Sequence, residues 1–288
     1  MLRDRLTFFV RKQSLRIQMT RQSQAHHKEG LIIMPIASSQ LVFYTSSGMP
    51  INDTYRSGGN INSGIRIMFK DLDSSTTITT YSSDIRDINT LTVSGWNNSH
   101  AVIGESITVS GTGHFTGSST FSGILGAKLS HATGLGNITV SGTSQNKIGT
   151  IYVDESGFQR PFYLAEAGGS PKTFYEKVFI KNKSQSTELS LAYVRSTGTG
   201  LMNTKITYGL ENGKALAPSG AGVEESVANR LTAPSNVSSY GSGISGVWPS
   251  GAGSLLAGDY QGIWLKYSLD ADEIAYGPYH IDVSGFSS

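Results

Sequence analysis

The chain has 288 residues, of which 15% are charged, and it contains no cysteine. Disulfides, thiolate metal sites and cysteine nucleophiles are therefore excluded, and no apolar run approaches the roughly eighteen residues of a membrane-spanning helix. The chain is rich in Gly, Ser and Thr, with Val, Ile, Tyr and Phe scattered along its length. This composition favours an all-β protein with many turns over a disordered one.

The first part of the chain differs in charge from the rest. Residues 1–33 carry seven Lys and Arg against two Asp and Glu, whereas the remainder has sixteen basic and nineteen acidic residues. The codons for Lys28-Glu29-Gly30 can spell a strong bacterial ribosome-binding sequence just before Met34. We therefore expect residues 1–33 to be a mis-called N-terminal extension, with translation starting at Met34. The alternative is a disordered basic leader or a nucleic-acid-binding arm.

Residues 34–62 are rich in Gly, Ser and Asn, a composition that suits an extended N-terminal arm, although Gln40–Tyr44 has the alternation of a strand. Beyond this segment, short runs of alternating apolar and polar residues recur about every 8–12 residues. Gly64–Lys70 is a clear example. A period of two is typical of a half-buried antiparallel strand. We predict a first β-sandwich domain over residues 63–168.

A stretch containing Gly and Pro, Ala165–Pro171, indicates a domain boundary. Another strand-rich segment follows it, and we predict a second β-sandwich domain over residues 169–288. Both domains are expected to be antiparallel and immunoglobulin-like or jelly-roll-like, with long Gly/Ser-rich loops and no long helix. The longest of these loop regions, residues 211–258, is expected to hold irregular segments or to contact a partner.

The motifs that could carry chemistry are weak. Gly241–Gly246 matches the dinucleotide-binding pattern, but Pro249 follows where that motif needs a helix, so we interpret it as a flexible loop. The histidines beyond residue 33 lack the spacing of metal ligands. The acidic groups at Asp71–Asp73 and Asp270–Glu273 lack the pattern of a calcium-binding loop. No catalytic residue, metal ligand or cofactor is predicted.

Aromatic residues supply the candidate contacts. Trp248 lies in the Gly-rich region, and we predict that it contacts a protein partner or a glycan together with Tyr240 and Tyr260. Trp264 lies in the alternating pattern Gln261–Tyr267 and is expected in the core instead.

Four stretches resemble virion structural proteins of tailed bacteriophages: Ser39–Asn62, Lys172–Ser184, Glu225–Val237 and Leu256–Leu269. Between the first two, Ile107–Leu129 is similar to the immunoglobulin-like modules common on phage surfaces. The resemblance covers most of residues 39–285, but it consists of strands and turns rather than a catalytic signature. It implies a particle component present in many copies, either a head decoration or cement protein or a part of the tail and its fibres.

The expected function is accordingly that of a non-enzymatic structural protein of a bacteriophage particle, assembled in the cytoplasm of the bacterial host. It would bind major capsid or tail proteins, and further copies of itself, through strand edges and loops. Neither nucleic acid nor a membrane is expected as a partner. Two alternatives stay open. One is a carbohydrate- or receptor-binding β-sandwich protein acting through Trp248 and nearby tyrosines, and the other is a glycan-degrading enzyme on a β scaffold.

Overall fold

The computed structural model describes residues 5–11, 14–20 and 40–287, with gaps at 68–69, 71, 132–134, 144–146, 197–204, 212–224, 246–253 and 275–280. Within these ranges the regular elements are strands, and no helix is formed. The predicted all-β class is therefore confirmed.

The first twelve strands alternate with turns rich in Gly, Ser and Asn. They are β1 (Arg5–Arg11), β2 (Ser14–Thr20), β3 (Leu41–Gly48), β4 (Ser57–Arg66), β5 (Ile78–Ser82), β6 (Ile88–Trp96), β7 (Val102–Ser110), β8 (His114–Thr116), β9 (Gly123–Leu129), β10 (Ile138–Gly142), β11 (Lys147–Ile151) and β12 (Gly157–Gln159).

The remaining strands include β13, which at eleven residues is the longest of the described strands, and the ten-residue β19, and the apolar content of both is high. They are β13 (Lys172–Asn182), β14 (Leu189–Ser196), β15 (Ile206–Leu210), β16 (Ser226–Val227), β17 (Gly243–Ser245), β18 (Ser254–Leu255), β19 (Tyr260–Leu269) and β20 (Ile281–Ser287). The region 211–258, expected to be a loop, thus holds three short strands in its described part. The Gly-rich motif expected to be a flexible loop contains β17, which pairs antiparallel with β14.

The chain forms two compact units. Unit 1 comprises Met1–Arg11, Leu15–Ile61 and Leu164–Ser288, and unit 2 comprises Lys12–Ser14 and Asn62–Tyr163. The sequence places its boundaries at residues 63 and 168, and those domain assignments stay predictions.

In unit 1, β15, β19, β13, β3 and the start of β4 are hydrogen-bonded neighbours in that order, and β16 pairs with β4. A second sheet has β14 at its centre, paired with β17, β18 and β20. The strands β13 and β19 join over ten consecutive residue pairs, from Lys172–Leu269 to Lys181–Tyr260. The side chains of β13 are buried almost continuously, including the charged Glu176 and Lys177. Because successive side chains of a strand point to opposite faces, both faces of β13 are covered.

Strand β3 lies within residues 34–62, the segment for which an extended arm is predicted. Its first residues, Leu41 to Tyr44, are each at most 2% exposed, and the strand pairs antiparallel with β13. The reason is that Gln40–Tyr44 supplies an apolar run, and burying it outweighs the loop-like composition of the flanking residues.

The N-terminal segment, expected to be an extension or a disordered arm, contains β1 and β2 in its described part. These two strands form a two-stranded sheet. The backbone is regular at residues 5–11 and 14–20, the described part of this segment. Translation from Met34 stays a prediction.

In unit 2, one sheet has the order β11, β10, β5, β8. The other has the order β4, β12, β9, β6, β7, and β4 contributes its last residues to it. One apolar core takes residues from both sheets, such as Ile138 and Val140 from β10 and Leu91 and Val93 from β6. The pairing of β12 with β4 is parallel. The expectation of purely antiparallel sheets is thus wrong at this point.

Candidate functional site

The register of unit 1 brings a buried lysine and a buried glutamate to one face of a sheet. Lys177 on β13 pairs with Trp264 on β19. Glu211 directly follows β15, and its N–H donates to the carbonyl oxygen of Gly262, also on β19 (3.2 Å). Alternate residues of a strand point to the same face, so residues 262 and 264 face the same way. The two charged side chains therefore approach each other from the two strands that flank β19.

Gly262 creates the space in which they meet. A Cβ at this position would collide with Oε2 of Glu211 and would lie 3.4 Å from Cδ of Lys177 and 3.3 Å from the Phe179 ring. Any side chain here would stand between the lysine and the carboxylate. Glycine usually weakens a strand, so its presence in this central strand fits the close approach of the two side chains.

Lys177 and Glu211 form a fully enclosed ion pair. Nζ of Lys177 donates to Oε1 of Glu211 at 2.8 Å and to Oε2 at 3.1 Å. The two side chains are 0% and 3% exposed. The ammonium also lies 5.3 Å from the centre of the Phe179 ring and 5.4 Å from that of Trp264. The pair thus sits in an apolar, aromatic environment where each charge depends strongly on its partner.

Asn236 completes a three-residue group, which we call the Lys–Glu–Asn centre (Lys177, Glu211 and Asn236). Its Nδ2 donates to the same Oε1 of Glu211 at 2.7 Å. The backbone supports this contact, because Glu211 forms an isolated antiparallel bridge with Val237. The Oδ1 of Asn236 is buried and has no hydrogen-bond partner.

Glu225 holds Asn236 in place. Its carboxylate accepts hydrogen bonds from the Ser235 N–H and hydroxyl, both at 2.7 Å, and from the Asn236 N–H at 2.9 Å. Its own N–H donates to Oε1 of Glu211 at 3.0 Å. Burial alone would raise the pKa of Glu225, but the hydrogen bonds from Ser235 and Asn236 outweigh it, and the pKa lies below its ordinary value.

The arrangement places an amine and a carboxamide around one oxygen atom of a carboxyl group. Since Nζ of Lys177 and Nδ2 of Asn236 both bond to Oε1 of Glu211, their separation cannot exceed the combined length of the 2.8 and 2.7 Å contacts. These are the components of an acyl-transfer site: a nucleophile, a proton carrier and a carbonyl carbon.

A second buried ionic group, the Arg230 cluster (Arg230, Asp53, Glu176 and Lys172), lies elsewhere in unit 1. The guanidinium is 1% exposed and donates to Oδ1 of Asp53 at 2.6 and 2.9 Å and to Glu176 at 3.4 Å. Lys172 donates to Oδ2 of Asp53 at 3.1 Å. Burial alone would raise the pKa of Asp53, but the opposite effect of Arg230 and Lys172 is larger. The pKa of Asp53 therefore lies below its ordinary value. This cluster ties the loop around Asp53 to β13.

The predicted aromatic contacts are only partly described. Tyr240 is half-buried, with its ring edge-on to Tyr175 at 6.0 Å, and its hydroxyl is buried without a hydrogen-bond partner. Burial, with Tyr175 and Glu225 nearby, raises the pKa of Tyr240. Tyr260 is half-buried and packs edge-on against Phe179 at 5.8 Å. Trp248 lies outside the described residues. The role of these three residues in contacts stays a prediction, whereas Trp264 is fully buried, as its strand pattern indicates.

An open cleft of about 380 Å³ lies at the surface of unit 1. Tyr55 and Arg56 line it, beside the backbone of Gly58 and Gly59. Tyr55 is 53% exposed, and Arg56 donates to the Ser226 hydroxyl at 2.6 Å. Both glycines have positive φ angles, 94° and 83°, which other residues adopt only with strain. Sequence reasoning missed this cleft, because the turn residues that form it carry no motif.

Among the described residues, no group of three or more His, Asp and Glu is placed to hold a metal ion. The part of the chain that the structure describes also has no helix long and apolar enough to cross a membrane. No protein-family model, no curated protein and no solved structure matches this chain.

Sequence reasoning also missed the Lys–Glu–Asn centre. One signal was available, because Lys177 lies beside the apolar residues Val178 and Phe179 in a strand pattern. The ordinary interpretation of such a lysine is that it faces solvent. The groups around its ammonium include Glu211 and the Trp264 ring, which the pairing of distant strands brings beside it and which cannot be deduced from local pattern.

Proposed function

We propose that this chain is a non-enzymatic structural protein of a bacteriophage particle. It binds capsid or tail proteins and further copies of itself, and it is assembled in the bacterial cytoplasm. The resemblance of four sequence stretches to phage virion proteins supports the phage assignment. The observation that carries the binding role is an exposed apolar surface on unit 2.

We call this exposed apolar surface of unit 2 the end surface. Its residues are Ile85, Ile88, Leu135 and Val153, whose exposed fractions are 77%, 79%, 55% and 45%. Exposed apolar groups gathered in one place are typical of protein–protein contacts. Scattered single apolar residues are ordinary on a protein surface, whereas these four lie on or beside loops that are bonded to one another.

Hydrogen bonds hold the loops of the end surface together. The buried carboxylate of Asp87 accepts from the N–H of Leu135 (2.5 Å) and of Gly136 (3.1 Å). The side-chain oxygen of Asn137 accepts a hydrogen bond from the N–H of Val153 at 3.2 Å. The backbone N–H of Asn137 donates to the Ser83 hydroxyl at 2.8 Å. A fixed loop cluster loses little entropy when a partner binds, which favours its use as a contact surface.

We further propose that unit 2 is a β-sandwich of the immunoglobulin-like or jelly-roll-like type, and that unit 1 is a second one. The core shared by the two sheets of unit 2 supports this for that unit. Strand β7 stands at the end of its sheet order, with β6 as its paired neighbour among the described strands. An edge of this kind is suited to pairing with a strand of another chain.

The experiment compares particle incorporation of three forms of the chain. Purified phage particles carrying the wild-type protein are analysed by quantitative mass spectrometry, beside particles made with Ile88→Asp/Leu135→Asp and with Ile51→Asp. Ile51 is 44% exposed on unit 1 and serves as the matched control. We expect incorporation of the double variant to fall at least tenfold, with the control unchanged. Absence of the wild-type chain from particles, or normal incorporation of the double variant, would refute the proposal.

The open cleft favours a second candidate function, binding of a glycan or receptor. Tyr55 offers an exposed ring for stacking on a sugar, and Arg56 offers a cation for an acidic sugar. A glycan array with wild-type protein and Tyr55→Ala tests this, with Tyr152→Ala as an exposed tyrosine control on unit 2. Binding that Tyr55→Ala removes and Tyr152→Ala retains supports this candidate, and a blank array for wild type rejects it.

A further inference from the structure

We propose that Lys177 and Asn236 become joined by an intramolecular amide (isopeptide) bond, which the folded chain forms by itself with Glu211 as the proton carrier. The inference does not depend on the proposed particle function. It describes a single modification of this chain and not turnover of a substrate.

The geometry supplies the three reacting groups. The Lys177 amine and the Asn236 carboxamide are both hydrogen-bonded to Oε1 of Glu211, at 2.8 and 2.7 Å. They come from β13 and from the segment after β16, which are far apart in sequence. Because both groups are held against the same carboxylate oxygen, no encounter between them has to be arranged, which lowers the entropic part of the barrier.

The apolar surroundings lower the cost of reaching the reactive, neutral state of the pair. Lys177 is 0% exposed and lies beside the Phe179 and Trp264 rings. Transfer of the proton from the ammonium to the Glu211 carboxylate converts two buried charges into two neutral groups, which an apolar site accommodates better. The same transfer frees the lone pair of Nζ, the nucleophile that the reaction needs.

The unpaired Oδ1 of Asn236 fits the next requirement. It is buried without a hydrogen-bond partner, whereas Nδ2 contacts Glu211. A half-turn of the amide about Cβ–Cγ presents Oδ1 to the protonated Glu211, which can then donate to it. This contact satisfies the buried oxygen and polarises the carbonyl carbon toward attack.

The reaction balances with these groups alone. Nζ of Lys177 attacks Cγ of Asn236, and Glu211 gives its proton to Oδ1 as the carbonyl double bond opens. Glu211 then takes a proton from the attacking nitrogen and delivers one to Nδ2. The Cγ–Nδ2 bond breaks and ammonia leaves, while the Oδ1 hydroxyl returns its proton to the Glu211 carboxylate as the carbonyl re-forms. One amide replaces another, so no oxidant, reductant or cofactor is consumed.

Glu225 and Gly262 act as positioning residues. Glu225 fixes the backbone of Ser235 and Asn236 and donates its own N–H to Glu211. Gly262 leaves open the path between Lys177 and Glu211. Replacing Glu225 by Gln should slow bond formation without abolishing it, a change in rate that a purely structural role would not produce.

The test is the intact mass of the denatured full chain after incubation of the folded protein at 37 °C. We expect a mass lower than that of the sequence by one ammonia. Trypsin should then yield residues 173–181, uncut at Lys177, joined to residues 231–266. The variants Lys177→Arg, Asn236→Ala and Glu211→Gln should each retain the full mass, while the control Lys181→Arg on the same strand should lose ammonia like wild type.

Two results would overturn the proposal. One is a wild-type chain of unreduced mass whose digest is cut normally at Lys177. The other is loss of ammonia without the branched peptide, which would indicate cyclisation at another asparagine. Both readings come from the wild-type protein, so they stand even if a variant fails to fold.

Discussion

Replacing Arg230 by Met should destabilise unit 1 strongly. The guanidinium is 1% exposed, donates to Asp53 and Glu176, and reaches the carbonyl oxygen of Leu164 at 3.2 Å. Met fills much of the same volume, so the main cost is the loss of positive charge beside the fully buried Glu176. Breaking a buried pair in this way costs about 3–5 kcal/mol. Because Asp53 is 30% exposed and can be hydrated, we expect the lower end, about 3 kcal/mol.

Urea unfolding followed by circular dichroism measures this loss. The control is Arg56→Met, which removes an exposed guanidinium bonded to Ser226 and should change the free energy of unfolding by less than about 0.5 kcal/mol. The double variant Arg230→Met/Glu176→Met removes both charges and should recover part of the stability. The charge-burial reasoning would be wrong if Arg230→Met were as stable as wild type. It would also be wrong if the double variant lost as much free energy of unfolding as Arg230→Met and Glu176→Met lose together when each is measured alone.

Three further predictions concern stability. Gly262→Ala should cost about 3 kcal/mol by separating a buried ion pair, whereas Gly169→Ala, where a Cβ meets nothing within 4 Å, should be nearly neutral in the same urea assay. The pKa values of Asp53 and Glu225 lie below their ordinary values of 3.8 and 4.5, so both carboxylates stabilise the fold above those values and lose this contribution as the pH falls through the lowered ones. The contribution of these two carboxylates to the urea midpoint should accordingly begin to fall below about pH 4.5. Asp87→Ala should cost about 2 kcal/mol, since it strands the buried N–H of Gly136 and the buried hydroxyl of Ser82. Hydrogen exchange should speed up first at the amides of Leu135 and Gly136, which both bond to Asp87.

The all-β class could be predicted from the sequence because period-two alternation is a local signal. Ile138–Gly142 and Ile88–Trp96 show it, and both are strands. Within residues 34–62, average composition is a weaker guide than the short apolar run that forms β3, because that run is buried although its flanking residues have a loop-like composition. Deleting that segment would remove a buried strand, so such a truncation tests folding rather than assembly.

The Lys–Glu–Asn centre could not be predicted for a different reason. Lys177, Glu211 and Asn236 are widely separated in the chain, and each has an ordinary surface explanation taken alone. Only the register of β13, β19 and β15 brings the first two together, and the bridge at Val237 adds the third. A pattern of this kind depends on pairing between distant strands, which composition and periodicity do not determine.

The ten consecutive residue pairs between β13 and β19 have a mechanical consequence. Tension applied along the strand axis from opposite ends loads all of these hydrogen bonds in shear, so they must rupture together. Tension applied across the strands would instead open the bonds one after another from an end, as a zipper does. We therefore expect this strand pair to bear a pull far better along its length than sideways.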